Sequence, residues 1–121
     1  MALHTSELLE RARNIRLVCF DVDGTLTDGR LYFDSEGRES KAFNVHDGQG
    51  LRLLEDNGIA VAFITARASE SASARARDLR LSHVFIGVKD KAACLKLLCE
   101  RLNITTQQAA FMGDDVPDLA A

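Results

Sequence analysis

Two carboxylates, Asp21 and Asp23, stand two residues apart at the end of the apolar run Leu17–Phe20. If that run is a strand, the alternation of side chains turns both carboxylates to the same side. Two like charges held this close repel each other unless a proton or a cation lies between them. A hard divalent cation such as Mg²⁺, which prefers oxygen ligands, removes the conflict. The pair therefore predicts a site for metal-assisted phosphate chemistry.

Polar residues also follow the other three predicted strands of the sheet. Thr65 comes after the second strand, Lys91 after the third, and Asp114 with Asp118 after the fourth. Ligands of open α/β sheets bind at the carboxyl ends of the strands, so we expect these side chains to meet there. They offer carboxylates for a cation, a hydroxyl for phosphate oxygens and an ammonium for developing negative charge. The pattern indicates phosphoryl transfer.

The elements that position these residues alternate between strand and helix. Strands are predicted at 16–21, 59–64, 83–88 and 109–113, helices at 5–13, 46–57, 68–80 and 90–102, a further helix start at 116–121, and a hairpin joining 30–34 to 39–45. This order predicts a doubly wound parallel α/β sheet with a β-hairpin flap at about 30–44 after the first strand. Because the chain stops where the last predicted helix begins, we expect a truncated C-terminus with an uncovered sheet edge.

Composition sets the remaining bounds. With 121 residues, 46% of them hydrophobic, the chain is expected to form one domain over 1–121. A net charge of −3 without a long basic run argues against a nucleic-acid partner. No segment approaches the roughly 18 apolar residues of a membrane span, and no signal peptide is evident. The three cysteines fit buried, reduced thiols, so we expect a cytoplasmic protein without membrane partners.

The four strand-end motifs resemble those of the haloacid dehalogenase (HAD) superfamily of phosphotransferases across essentially the whole chain. The resemblance implies that Asp21 is the nucleophile that forms an aspartyl-phosphate. It implies that Asp23 is first the general acid for the leaving group and then the base that activates water. It also implies a Mg²⁺ cofactor held by Asp21, by Asp23 through its backbone carbonyl and by Asp114, with Asp118 in support.

The same resemblance assigns the groups that would hold phosphate and substrate. Thr65 would bind the transferring phosphoryl group, although a threonine in this place could also cap the following helix. Lys91 would stabilise nucleophile and phosphate, and is preferred to Lys89 because it enters the predicted helix where the family places its lysine. Arg67 either contacts a substrate carboxylate or solvates the start of its helix. His46, at the start of another helix, is a candidate substrate contact.

The spacing of the motifs narrows the resemblance. Between Asp21 and Thr65 the chain holds only the hairpin and one helix, and between Thr65 and Lys91 it holds a single αβ unit. Neither interval has room for a cap domain, so the resemblance is to capless members.

Within the capless members, the stretches 21–29, 43–50, 64–67 and 87–91 are similar to those of the 3-deoxy-D-manno-octulosonate (KDO) 8-phosphate phosphatases. This family resemblance implies Mg²⁺-dependent release of phosphate from KDO 8-phosphate, a sugar-acid phosphate, in lipopolysaccharide precursor biosynthesis. It also implies a homotetramer in which the hairpin of one subunit, here 30–44, closes the active site of the next.

Two alternatives stay open at the level of sequence. One is a phosphatase of a related sialic-acid-type 9-phosphate, and the other is a non-catalytic truncated homologue that acts as an oligomerising fragment. A signalling receiver domain also gathers acids, Thr and Lys around Mg²⁺. It is disfavoured because the strand before Thr65 ends without an acceptor aspartate.

Overall fold

Four parallel strands form the sheet of this structure, a computed structural model that describes residues 5–113. The elements in chain order are α1 (Thr5–Arg13), β1 (Leu17–Phe20), β2 (Tyr32–Phe33), β3 (Glu39–Ser40), α2 (Val45–Asp56), β4 (Ala60–Ile64), α3 (Glu70–Asp78), β5 (His83–Phe85), α4 (Lys91–Arg101), a short 3₁₀ turn (Thr106–Gln108) and β6 (Ala109–Met112). The predicted α/β architecture is confirmed. Asp114, Asp118 and the predicted helix start at 116–121 lie outside the described residues.

The strand order β5-β4-β1-β6 places the reversal of the sheet beside β1. From β1 the chain adds β4 and then β5 on one side, and it crosses to the other side of β1 to form β6. Such a switch point opens a crevice at the carboxyl ends of the two strands, where ligands of open α/β sheets bind. Beyond β1, the backbone N–H of Asp21 donates to the carbonyl oxygen of Met112 at 2.9 Å.

Both faces of the sheet are buried, as the continuous apolar run of β4 requires. On one face Val61 and Phe63 of β4 pack with side chains from α2 and α3, and on the other Ala62 and Ile64 pack with side chains from α4. Within residues 5–113, no helix is long and apolar enough to span a membrane.

The hairpin is shorter than predicted, with two residues in each strand paired as Tyr32 with Ser40 and Phe33 with Glu39. Asp34 ends the first strand because its Oδ1 atom accepts from the backbone N–H groups of Glu36 and Arg38, each at 2.9 Å. Past Ser40 the chain leaves the ladder and approaches the end of β1.

A glycine sets the approach of α2 to α3. A Cβ atom at Gly48 would lie 2.4 Å from a guanidinium nitrogen of Arg75 and 3.1 Å from Cδ2 of Leu79. The Arg75 side chain uses this space to lie 5.5 Å from the ring centroid of Phe43 and to donate to the carbonyl oxygen of Asn44. Its guanidinium therefore joins α3 to the segment that enters α2.

Candidate active site

The loop after β1 is built from backbone and side-chain hydrogen bonds within itself. The carbonyl oxygen of Val22 accepts from the backbone N–H groups of Thr25, Leu26 and Thr27, at 3.3, 2.9 and 3.2 Å. The Thr27 hydroxyl oxygen accepts from the N–H groups of Gly24 and Gly29, both of which have positive φ angles. This tight turn holds the carboxylates that precede it at the end of β1.

Asp21 and Lys91 form a buried ion pair at the switch point of the sheet. Lys91 Nζ lies 3.0 Å from Asp21 Oδ1, and the two residues are only 5% and 6% exposed. Lys91 is the first residue of α4, whose N-cap Asp90 accepts from the backbone N–H of Ala93. Burying either charge alone is costly, so each is tolerated because the other is present.

Thr65 lies directly after β4 and is almost completely buried. Its backbone N–H donates to Phe85 and its carbonyl accepts from Val88, both at 2.9 Å, which joins the ends of β4 and β5. The alternative that Thr65 caps the next helix is wrong, because the side chain of Ser69 accepts from Ala72 and is the N-cap of α3. The helix therefore begins at Glu70, two residues later than the predicted 68.

Asp23 faces a lysine that the sequence reasoning missed. The Lys41 side chain has 0% exposure, and its Nζ atom lies 2.7 Å from Asp23 Oδ1. The two atoms are close but do not form a hydrogen bond, and neither has a hydrogen-bond partner within residues 5–113. One signal was available: the polar residues Glu39, Ser40 and Lys41 interrupt the predicted flap strand just before its apolar end.

Glu39 binds the loop between β4 and α3. Its carboxylate accepts from Arg67 Nη2 at 2.6 Å and from the Ser69 hydroxyl at 3.1 Å, and its carbonyl oxygen accepts from the Ser71 hydroxyl. Burial raises the pKa of Glu39, but the bonds and charges of Arg67, Lys41 and Ser69 outweigh burial and hold that pKa below its usual value. Glu39 is therefore a structural anion of the site.

The remaining predicted residues occupy different surroundings. Arg67 is half-exposed and pairs with Glu39, and its Nε atom lies 3.8 Å from Asp23 Oδ2, so the structure brings it to the carboxylates. His46 is exposed in the first turn of α2, where its backbone N–H donates to the side chain of the N-cap Asn44. Lys89 is exposed, in contrast to Lys91.

Whether this site suits a metal ion depends on the donor atoms that its residues offer. Asp21 supplies a hard carboxylate oxygen and Asp23 a backbone carbonyl oxygen at the end of β1, so the donor chemistry fits Mg²⁺. Among residues 5–113 no group of three or more His, Cys, Asp or Glu side chains is arranged so that it could hold a metal ion. The third predicted ligand, Asp114, lies outside the described residues.

An open cavity of about 410 Å³ adjoins the loop after β1. It is lined on one side by residues 25–28 and on the other by residues 42–44 together with Asp47. In the chain, the first segment follows Asp23 and the second follows Lys41.

The fold and the charged strand ends define the class of protein. A solved structure of a HAD family hydrolase from Streptomyces avermitilis is 34% identical, with a TM-score of 0.84, and the match covers 98% of this chain and 69% of that one. This chain belongs to the haloacid dehalogenase superfamily. No protein-family profile matches the chain.

More particular similarity is to KDO 8-phosphate phosphatases. The one from Yersinia pestis is 41% identical over 93% of this chain and 60% of its own length. The structure of the one from Moraxella catarrhalis, in complex with magnesium, phosphate and KDO, is 44% identical with a TM-score of 0.91, over 96% of this chain and 67% of that one. The chain spans about 60% of the length of the curated relatives that it matches.

Proposed function

We propose that this chain hydrolyses a phosphate monoester through an aspartyl-phosphate on Asp21. The observation that carries the proposal is the buried pair of Asp21 and Lys91 at the switch point of the sheet. A carboxylate in this place is fixed, desolvated and compensated by a cation, which suits a nucleophile that attacks an anionic phosphoryl group.

The reaction takes two steps. An Asp21 oxygen bonds to phosphorus while the bond from phosphorus to the ester oxygen breaks, and Asp23 gives its proton to that oxygen. Water then attacks phosphorus, Asp23 accepts the proton, and the bond to Asp21 breaks to release phosphate. Lys91 balances the charge at Asp21, and Thr65 holds phosphate oxygens. Mg²⁺, held by Asp21, the Asp23 backbone carbonyl and Asp114, would supply Lewis-acid stabilisation of the phosphoryl oxygens.

The proposed substrate is KDO 8-phosphate, which would place the chain in lipopolysaccharide precursor biosynthesis in the cytoplasm. Support comes from the similarity to the Yersinia and Moraxella phosphatases. Arg67 suits a sugar-acid carboxylate, but it is bound to Glu39, so the substrate would share or replace that contact. A sialic-acid-type 9-phosphate carries the same two anionic groups and remains the competing substrate.

The proposed assembly is a homotetramer in which the hairpin of one subunit covers a neighbour's site. Tyr32 and Phe33 support it, because these two large apolar side chains are 48% and 61% exposed on β2. A capless site needs closure from elsewhere to exclude water. Sedimentation of the active protein tests this, and a strictly monomeric protein with full activity would contradict it.

The function is tested by phosphate release from KDO 8-phosphate and from a sialic acid 9-phosphate, each with Mg²⁺ and with a chelator. We expect Mg²⁺-dependent release and a preference for the eight-carbon ester. Equal rates on unrelated phosphate esters would contradict the proposed substrate. Oligomerisation without any release would favour the non-catalytic alternative.

A further inference from the structure

We propose that Lys41 is a positioning residue for Asp23. Lys41 holds the carboxyl group of Asp23 in the orientation that proton transfer to the leaving group requires. The inference rests on the proposed function, because it assigns Lys41 a part in the same reaction. Lys41 Nζ faces Asp23 at 2.7 Å, so we argue its effect on the reaction through that residue.

Four charged side chains close into a ring around this carboxylate, which we call the charge ring. Its members are Lys41, Asp23, Arg67 and Glu39. Asp23 Oδ1 lies 2.7 Å from Lys41 Nζ, and its Oδ2 lies 3.8 Å from Arg67 Nε. Glu39 faces the same two cations, at 2.6 Å from Arg67 Nη2 and 3.9 Å from Lys41 Nζ. Lysine and arginine therefore alternate with the two acidic residues around the ring.

Among the four members of the charge ring, Lys41 has the most buried side chain, so its charge loses the most hydration. Its side chain is completely shielded from solvent, whereas the Arg67 side chain is 49% exposed. An ammonium taken out of water costs several kcal/mol unless nearby anions compensate it. An exposed lysine could have anchored the hairpin at no such cost, so the buried position points to a function at Asp23.

The two cations restrict how Asp23 can turn. Each carboxylate oxygen faces a different positive group, so rotation of the carboxylate would separate at least one ion pair. Proton transfer depends on a donor held in the correct geometry, and general acid catalysis contributes typically about 10²–10⁴-fold. Loss of Lys41 should remove part of that factor while the nucleophile and its lysine stay in place.

Substrates with different leaving groups can show whether Lys41 positions the proton donor or only supports the structure. An alkyl phosphate, such as a sugar phosphate, needs a proton on its departing oxygen, whereas p-nitrophenyl phosphate has a good leaving group and needs it much less. The value of kcat/KM reports only the steps up to departure of that group, so the hydrolysis of the aspartyl-phosphate does not enter the comparison.

The experiment measures kcat/KM for both esters in wild type, K41M, K41R and the control K96M, which alters an exposed lysine on α4. We expect K41M to lower kcat/KM for the alkyl ester by a factor about tenfold or more larger than the factor for p-nitrophenyl phosphate. K41R should recover most of this loss, and K96M should match the wild type. Equal losses on both esters, or no loss, would overturn the proposal.

A double mutant keeps the test valid if K41M folds poorly. Replacing Asp23 as well, in D23N/K41M, removes the carboxyl group that K41M alone leaves without its lysine. If Lys41 acts through Asp23, K41M should change kcat/KM for the alkyl ester little in the D23N background. A further full-sized loss there would overturn the proposal.

A readout without activity separates failure of this inference from failure of the proposed function. In ¹⁵N-lysine-labelled protein, the Lys41 ammonium should exchange slowly with water, and its signal should shift in D23N. An unshifted or rapidly exchanging signal would overturn the pairing. Absence of turnover in wild type, with the shifted signal present, would instead count against the proposed function alone.

Discussion

Lys91 Nζ and Asp21 Oδ1 lie 3.0 Å apart although 70 residues separate them in the chain. The parallel sheet creates this proximity, because the residue after β1 and the first residue of α4 both lie at the carboxyl edge of the strands. The pair is buried, so neither charge is stable there without the other. The same contact thus contributes to the stability of the fold and is the basis of the proposed chemistry.

Replacing the proposed nucleophile should abolish phosphate release while the fold is retained. In D21N the amide still offers an oxygen to Lys91, but it cannot attack phosphorus. We expect no turnover above background in a phosphate-release assay, with an unchanged circular dichroism spectrum. D56N serves as the control, because Asp56 is exposed and its ion pair among residues 5–113 is with Arg52. Retained turnover in D21N would refute the assignment.

Removing Lys91 should lower stability as well as activity. K91M leaves the Asp21 carboxylate buried without its cation, which typically costs about 3–5 kcal/mol. Urea unfolding of K91M against the exposed control K96M measures the cost, and the control should stay within about 0.5 kcal/mol of wild type. A stability of K91M equal to that of K96M would show that the pair does not support the fold.

Two glycines of α2 should respond in opposite directions to alanine. G48A places a methyl group against Arg75 and Leu79, so we expect stability to fall by about 1 kcal/mol or more. In G50A the new methyl group meets no described atom within 4 Å beyond its chain neighbours and the adjacent backbone of α2, so stability should rise by about 0.5–1 kcal/mol from helix propensity. Thermal or urea unfolding compares the two. Equal effects would mean that the Gly48 contact with α3 is not tight.

Cys19 should make the protein less stable in alkali. Burial, reinforced by the nearby Cys99 and Cys94, raises the pKa of its thiol from 9.0 to about 12. The unfolded chain loses this proton at lower pH than the folded protein does. The stability that the buried, protonated thiol contributes is therefore complete below about pH 9.0 and is lost as the pH rises towards about 12. The free energy of unfolding should fall less steeply in C19A over this range, and identical slopes would contradict the pKa shift.

The site residues that follow the parallel strands could be predicted from the sequence. Asp21, Thr65 and Lys91 follow strands whose apolar runs are unmistakable, and a parallel sheet brings such positions together whatever the loops do. The predicted fold succeeded for the same reason. Element ends were less accurate, since α3 begins where the Ser69 side chain caps it, and an Ala/Arg/Ser-rich stretch does not mark that residue.

The charge ring was not predictable from the sequence in the same way. Lys41 reaches Asp23 only because the chain leaves the hairpin after Ser40 and passes the end of β1. The sequence alone does not distinguish an Arg67 that contacts a substrate carboxylate from one that solvates the start of its helix. Its partner Glu39 lies 28 residues earlier in the chain. Such contacts depend on the path of an irregular segment, for which no periodic pattern exists.

The most direct test of the central claim is to trap the covalent intermediate. The protein is mixed with Mg²⁺ and KDO 8-phosphate, quenched in acid within the first turnover, digested and examined by mass spectrometry. We expect a phosphoryl group on the peptide that contains Asp21, and none in D21N. Turnover with no phosphorylated peptide, or with the phosphoryl group on a peptide without Asp21, would contradict the account.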